Sequence, residues 1–288
     1  MPTNMISASS AGTWTLGDLT VNRIGFGAMR LTGNGSAASD RARAVGVLRR
    51  AVELGVNHID TASFYFSPLR SANELINSAL SPYADDLVIT TKVGPGRDPS
   101  GEWLPLARPD QLRGQVEENL RQLGRDHLDV VNLRQHGLDS VAEHFGALAE
   151  LRDAGLIRHL GLSNIRPQHL AQAQAIAPVV CVQNTYGVDT RRMHDQFVRT
   201  CGDQGVAFVP FFAIAGDGRE AGGVAANAAV QAVARTHGAT PAQVRIAWTL
   251  SRGPHLLAIP GTGNPDHLVE NLAAGALVLS PDDLASLE

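Results

Sequence analysis

Eight short apolar runs recur along the chain, and longer segments of mostly amphipathic, helix-forming character lie between them. That rhythm limits the fold more than any single residue does. The runs occupy 24–27, 56–60, 87–92, 128–134, 159–163, 179–183, 206–211 and 256–259. Crossovers of helical length join parallel strands. Strands that read as near-continuous apolar runs are buried on both faces. Eight such units in 288 residues favour a closed α/β fold, a (β/α)8 TIM barrel, over an open doubly wound sheet. A hairpin at 13–16 and 19–22 precedes the first unit.

Helices are expected over 39–54, 71–80, 109–123, 140–154, 167–176, 193–204, 224–237, 241–251, 266–274 and 281–287. Ser39 or Asp40 can cap the first, Gly55 stops it, and Pro109 and Gly124 bracket the third. No linker divides the chain, so 13–288 reads as one domain, with 1–12 as a small, polar, loose tail. The tail has neither the basic start nor the apolar core of a secretory signal.

The net charge of −4 gives no reason to expect nucleic acid or an anionic membrane as a partner. No apolar stretch approaches the roughly 20 residues of a membrane span. Cys181 and Cys201 are too few for a disulfide framework and read as buried thiols in a reducing, cytoplasmic setting. The histidines form no metal-ligand spacing, so no metal is expected. A monomer or weak homo-oligomer acting on a small molecule is the expected state.

A barrel of this kind carries its chemistry at the C-terminal ends of its strands. Asp60 and Tyr65 follow the second run, Lys92 ends the third and Arg134 ends the fourth. A tyrosine hydroxyl, with an ordinary pKa of about 10, keeps its proton near neutral pH. A lysine beside it stabilises the phenolate left when that proton leaves. An aspartate can hold the lysine in place. The set suits proton donation to a carbonyl oxygen as hydride reaches the carbon. The remaining strand ends, Gly27 and Met29, Ser163-Asn164, Gln183-Asn184, Phe211 and Pro260-Gly261-Thr262, form an unusually polar list.

These motifs resemble the aldo-keto reductase family. They are Asp-Thr-Ala-x-x-Tyr at 60–65, Thr91-Lys92, Gly161-Leu162-Ser163-Asn164, Gln183-Asn184, Ile259-Pro260-Gly261-Thr262 and Glu270-Asn271, in order across nearly the whole chain. Within the family, 129–134 and 181–184 most resemble the bacterial pyridoxal reductase branch. The resemblance implies an NADPH-dependent reduction of an aldehyde or ketone, pyridoxal being one candidate, with NADH possible.

It places Ser163, Asn164 and Gln183 on the nicotinamide carboxamide, Phe211 against the ring, and Gly27 and Met29 nearby. Phe212, Ala213, Ile214 and Gly216 lie where the family wraps the pyrophosphate. Gly261, Thr262, Gly263 and His267 lie where it holds the 2′-phosphate, and Glu270 and Asn271 where it meets adenine. The family often has Lys and Arg at the positions of Gly261 and His267, so NADPH preference here rests on other donors. Gly25-x-Gly27 is not a dinucleotide-binding fingerprint, because the third glycine is absent.

Arg134 departs from the family, which usually has a neutral histidine there. Three readings stand open: a carbonyl polariser, a partner for an acceptor on the substrate, or a structural partner of a carboxylate. The substrate-facing readings are favoured. His136 shares its parity and is read as a surface loop residue. The segment 94–108 is expected to overhang the pocket, with Phe64, Phe66 and Trp103 lining it, and the short C-terminus suggests an open site. Two other classes compete. One is a cofactor-binding sensor with slow turnover. The other is a barrel lyase or isomerase using Lys92 for a Schiff base.

Overall fold

Side chains that alternate inward and outward along parallel strands set up this molecule. The structure is a computed structural model that describes residues 6–32, 41–67, 70–190, 194–211 and 227–288. The strands are β1 (Thr13–Leu16), β2 (Leu19–Asn22), β3 (Phe26–Gly27), β4 (His58–Asp60), β5 (Phe66–Ser67), β6 (Arg70–Ser71), β7 (Val88–Val93), β8 (Leu128–Arg134), β9 (Ile157–Ser163), β10 (Val179–Gln183) and β11 (Ala207–Phe208). Seven of them form one parallel sheet in the order β11-β10-β9-β8-β7-β4-β3.

Residues 256–258 complete the ring. They do so by isolated bridges, Phe208 to Leu256 and Ile24 to Ala258, where the sequence led us to expect regular strands. The physical reason lies in how that seam is bonded. The Arg23 guanidinium donates to the carbonyls of Leu256 (3.2 Å), Leu250 (2.6 Å), Gly253 (2.6 Å) and Ala11 (3.2 Å). One of these acceptors, Leu256 O, belongs to the seam itself, and the backbone bonds that remain there run from Gly25 N–H to Ala258 O and from Ala258 N–H to Arg23 O, both at 2.8 Å. Above it, a Cβ on Gly27 would stand 2.7 Å from Ile259 O, and one on Gly261 would collide with Gly27 O. Both positions are glycine because two backbones meet there.

Helices α1 (Arg41–Glu53), α2 (Ala72–Leu80), α3 (Leu112–Leu123), α4 (Ala142–Asp153), α5 (Pro167–Gln174), α6 (Asp195–Asp203), α7 (Ala228–His237), α8 (Pro241–Ser251), α9 (Pro265–Ala273) and α10 (Pro281–Ser286) follow the expected ranges to within a few residues. Gly124 ends α3 with φ 65°, a left-handed cap. Ser39 and Asp40 lie outside the described residues.

Two apolar layers follow from strand alternation. Outward residues such as Ile59, Ile89, Val131, Leu133, Leu160 and Val182 pack against the helices. Inward residues Val88, Val130 and Cys181 pack with Leu16 and Val21 of the hairpin, which plugs the bottom of the barrel. The segment read as a loose tail is packed from residue 8. Ala8–Ala11 forms a 3-10 turn, Ala8 is buried, and its N–H donates to Leu54 O at 2.9 Å. The small side chains that look tail-like in sequence are what let this turn lie against the end of α1.

Candidate active site

Moving up each strand by two residues leads from apolar filling to polar chemistry. Val130 is followed by Asn132 and Arg134, and Val88 by Thr90 and Lys92. His58 precedes Asp60, Gly161 precedes Ser163, and Cys181 precedes Gln183. The register pairs Asp60 with Thr90, Lys92 with Asn132, Arg134 with Ser163, and Ser163 with Gln183. Five polar side chains on five strands therefore reach one rim.

At its centre Lys92 Nζ donates to Asp60 Oδ1 at 2.5 Å and to Thr61 O at 3.0 Å. Both side chains are almost wholly buried. Lys92 Nζ stands 5.0 Å from the centroid of the Tyr65 ring. Burial works against the charge on Lys92, but Asp60 and then Tyr65 outweigh it and raise its pKa above the ordinary lysine value. A lysine held charged in this way is unsuited to Schiff-base chemistry, which needs the free amine.

The other oxygen of Asp60 accepts from Gln183 Nε2 at 2.5 Å. A carboxylate only accepts, so this bond fixes the orientation of the Gln183 amide. Gln183 Oε1 is left buried without a partner, and so is Ser163 Oγ. Buried polar atoms are otherwise paired as a rule, so two orphans at one rim point to a polar ligand.

Asn164 has φ 60°, a left-handed setting that asparagine tolerates. Its N–H donates to Gln183 O (2.8 Å) and its Nδ2 to Gln135 O (3.0 Å), while Gln135 Nε2 donates back to Asn164 O. Gln135, absent from the sequence-derived site, thus ties the loop after β8 to the loop after β9. Asn184 does the same for the next loop, exchanging both amide bonds with the backbone of Ile165 (2.9 and 2.7 Å).

Arg134 is half-buried, with Cζ 5.2 Å from the centroid of the Phe211 ring. Among the described residues no carboxylate pairs with it. The 94–108 segment is a small ordered hairpin, with a bridge between Arg97 and Trp103. Trp103 is 61% exposed and packs edge-on against buried Phe64, which packs edge-on against Tyr65 (centroids 5.7 and 5.1 Å). Arg97 stacks over Phe66 and Trp103 at 5.5 and 5.3 Å. The three expected liners therefore form one wall beginning at Tyr65.

Residues from 261 onward border the same end of the barrel. Thr262 is buried and its Oγ1 accepts from Asn264 N–H at 3.0 Å, and Asn264 caps α9. His267 is exposed on the first turns of that helix and Asn271 is buried. Glu270 Oε1 accepts from Thr240 Oγ1 at 2.5 Å, so this carboxylate is already engaged. Gly27 and Gly261 form the backbone contact described above, and Met29 is half-buried beside it in sequence. Phe212, Ala213, Ile214 and Gly216 lie outside the described residues.

The family model described as the Aldo/keto reductase family matches residues 23–288. The chain belongs to the aldo/keto reductase family. Pyridoxine 4-dehydrogenase of Escherichia coli (strain K12) is 44% identical, over 97% of this chain and 98% of that one. The uncharacterized oxidoreductase C215.11c of Schizosaccharomyces pombe is 37% identical, over 98% and 91%. Among solved structures, an aldo-keto reductase from Klebsiella pneumoniae in complex with NADPH superposes with a TM-score of 0.80 at 27% identity, covering 96% of this chain and 93% of that one. The (β/α)8 barrel built from the strand register is the fold of these aldo-keto reductases. Among the described residues no group of His, Cys, Asp and Glu could hold a metal ion, and no helix is long and apolar enough to cross a membrane.

Proposed function

We propose that this aldo-keto reductase reduces an aldehyde or ketone to the alcohol with NADPH, and that Tyr65 is the proton donor. One observation carries the reading: Lys92 is clamped between Asp60 and Tyr65 in a buried site. A proton leaving Tyr65 leaves an anion next to a fixed cation, so the phenolate forms without solvent reorganisation. Asp60 sets the position of the cation and keeps it charged.

NADPH, when bound, supplies the hydride, which no side chain here can deliver. The two orphaned atoms fit its carboxamide: Ser163 Oγ as a donor or acceptor and Gln183 Oε1 as an acceptor. Asn164 would complete that set, with Phe211 beside the ring. Gly27, Met29, the 212–216 segment, Gly261, Thr262, Gly263, His267, Glu270 and Asn271 are proposed for the rest of the dinucleotide. Arg134 is assigned to the substrate. A half-buried guanidinium with no carboxylate partner among the described residues suits an acceptor on the molecule being reduced. Pyridoxal, with an aldehyde beside a phenolic hydroxyl on its pyridine ring, is the first substrate to try, since the Escherichia coli relative is a pyridoxine 4-dehydrogenase.

The test follows NADPH oxidation across a panel of aldehydes that includes pyridoxal, for the wild type and Tyr65→Phe. Turnover in the wild type and its loss in Tyr65→Phe by a factor of 100 or more, on the order of general-acid contributions, is expected. A Tyr65→Phe enzyme that keeps wild-type turnover overturns the assignment.

A further inference from the structure

The barrel wall behind the ion pair is polar where a packed layer is usually apolar. Asp60 faces inward, so Thr61 faces the helices, and Thr91 does the same beside Lys92. Both threonines are buried, and each meets an asparagine. Thr61 Oγ1 donates to Asn73 Oδ1 at 2.8 Å, and Thr91 Oγ1 donates to Asn119 Oδ1 at 2.6 Å. Asn73 Nδ2 joins the two by donating to Asn119 Oδ1 and to Gln122 Oε1, both at 2.9 Å. Asn119 Nδ2 ends the network on Gln115 O at 2.8 Å. Asn73 and Asn119 have no exposure to solvent, and each amide is paired. Apolar side chains of this volume would fill the layer without any cost of desolvation. A fully satisfied polar network instead fixes one arrangement of its members.

Its place on the sheet says which arrangement. The ladder between β4 and β7 ends at Asp60 and Thr90, and the last backbone bond there runs from Thr61 N–H to Thr90 O at 2.8 Å. Past that point the chain leaves the sheet toward Tyr65, and Thr61 O turns onto Lys92 Nζ. The threonine–asparagine network begins where backbone pairing stops. We infer that Asn73 and Asn119, acting through the hydroxyls of Thr61 and Thr91, are positioning residues for the proton transfer at Tyr65. They hold Asp60, the Thr61 carbonyl and Lys92 in a single setting. The inference rests on the roles proposed above for Tyr65, Lys92 and Asp60.

Thr61→Val keeps the shape of the side chain and removes the hydroxyl. It is expected to lower kcat for carbonyl reduction about tenfold, to move the pH profile of kcat by about half a unit or more, and to leave the KM for NADPH within about twofold. Thr61→Ser restores both kcat and profile. Thr91→Val, which breaks the network from the other end, acts in the same direction. The double variant Thr61→Val, Asn73→Leu fills the layer with apolar atoms, and it is expected to recover Tm but not kcat. Wild-type kcat and pH profile in both valine variants, or recovery of kcat together with Tm in the double variant, overturns the inference. Tyr65→Phe measured alongside separates the two levels. An active Tyr65→Phe enzyme removes the reading of the site, and this inference with it. An inactive Tyr65→Phe with normal valine variants removes the positioning role alone.

Discussion

His58 is wholly buried one step below Asp60 on the same face of β4. Its Nε2 meets Thr90 Oγ1 at 3.1 Å, and its Nδ1 has no partner. Burial pushes its pKa down from the ordinary 6.5 to about 4; Asp60 pulls the other way and Lys92 adds to the lowering. The unfolded chain binds this proton at the ordinary value, so between 6.5 and about 4 only the unfolded state is protonated there. Stability from His58 is therefore complete above pH 6.5 and is lost as the pH falls toward 4. Each pH unit in that window is worth about 1.4 kcal/mol, which brings the whole effect to roughly 3 kcal/mol. That is a large share of the 5–15 kcal/mol that holds a typical domain together. His58→Gln keeps an amide for Thr90 and cannot titrate. Urea unfolding at about pH 7.5 and about pH 4.5 should show the wild type losing some 2–3 kcal/mol more than His58→Gln on acidification. His169, His194 and His255, also lowered by burial, act in the same direction in both proteins and cancel in the comparison. Equal losses in the two proteins would refute the reasoning.

Arg134→Ala should lower kcat/KM for the carbonyl substrate by about tenfold or more while the Kd for NADPH stays within about twofold; near-normal turnover would defeat the substrate-facing assignment. Gly161→Ala sets a Cβ 2.7 Å from Cys181 Sγ and 2.9 Å from Cys181 O, inside the barrel. Overpacking of that kind costs about 1–3 kcal/mol, measurable as a fall in the urea midpoint at unchanged slope. Cys181 and Cys201, with burial pushing both thiols up to about 12, should resist a water-soluble disulfide reagent until the protein is unfolded. The ratio of kcat/KM for NADPH over NADH should rise on His267→Arg, which puts a permanent cation on the exposed first turns of α9, and steady-state kinetics with the two cofactors would read it; an unchanged ratio would refute the placement of the 2′-phosphate there.

The site was legible where strand parity alone decides it. Asp60, Lys92, Arg134, Ser163 and Gln183 each end an apolar run, and side chains two apart on a strand share a face. The hairpin and the Gly124 stop of α3 were legible for a similarly local reason. What escaped depends on partners distant in sequence. Nothing near Ala8 announces that Leu54 will accept its N–H. Gln135 looks like one more loop residue until Asn164 folds onto it. Asn119 did carry a signal, since it falls on the buried stripe Leu112, Val116, Asn119, Leu123 of α3. A polar residue at a core position asks for a partner, but only the fold names Asn73 and Thr91 as that partner. The engagement of Glu270 by Thr240 was invisible for the same reason.

The Arg23 seam also bears on how the chain is made. The guanidinium at position 23 finds its carbonyl at Leu256 across 233 residues of sequence. At about 5–20 residues per second of synthesis, the first strand waits roughly ten to fifty seconds for the segment that closes the ring against it. Until then the growing sheet has an open edge, the kind of surface on which chains pair with one another. The ring of this barrel thus closes only when residue 256 has been made, 233 residues after the arginine that receives it.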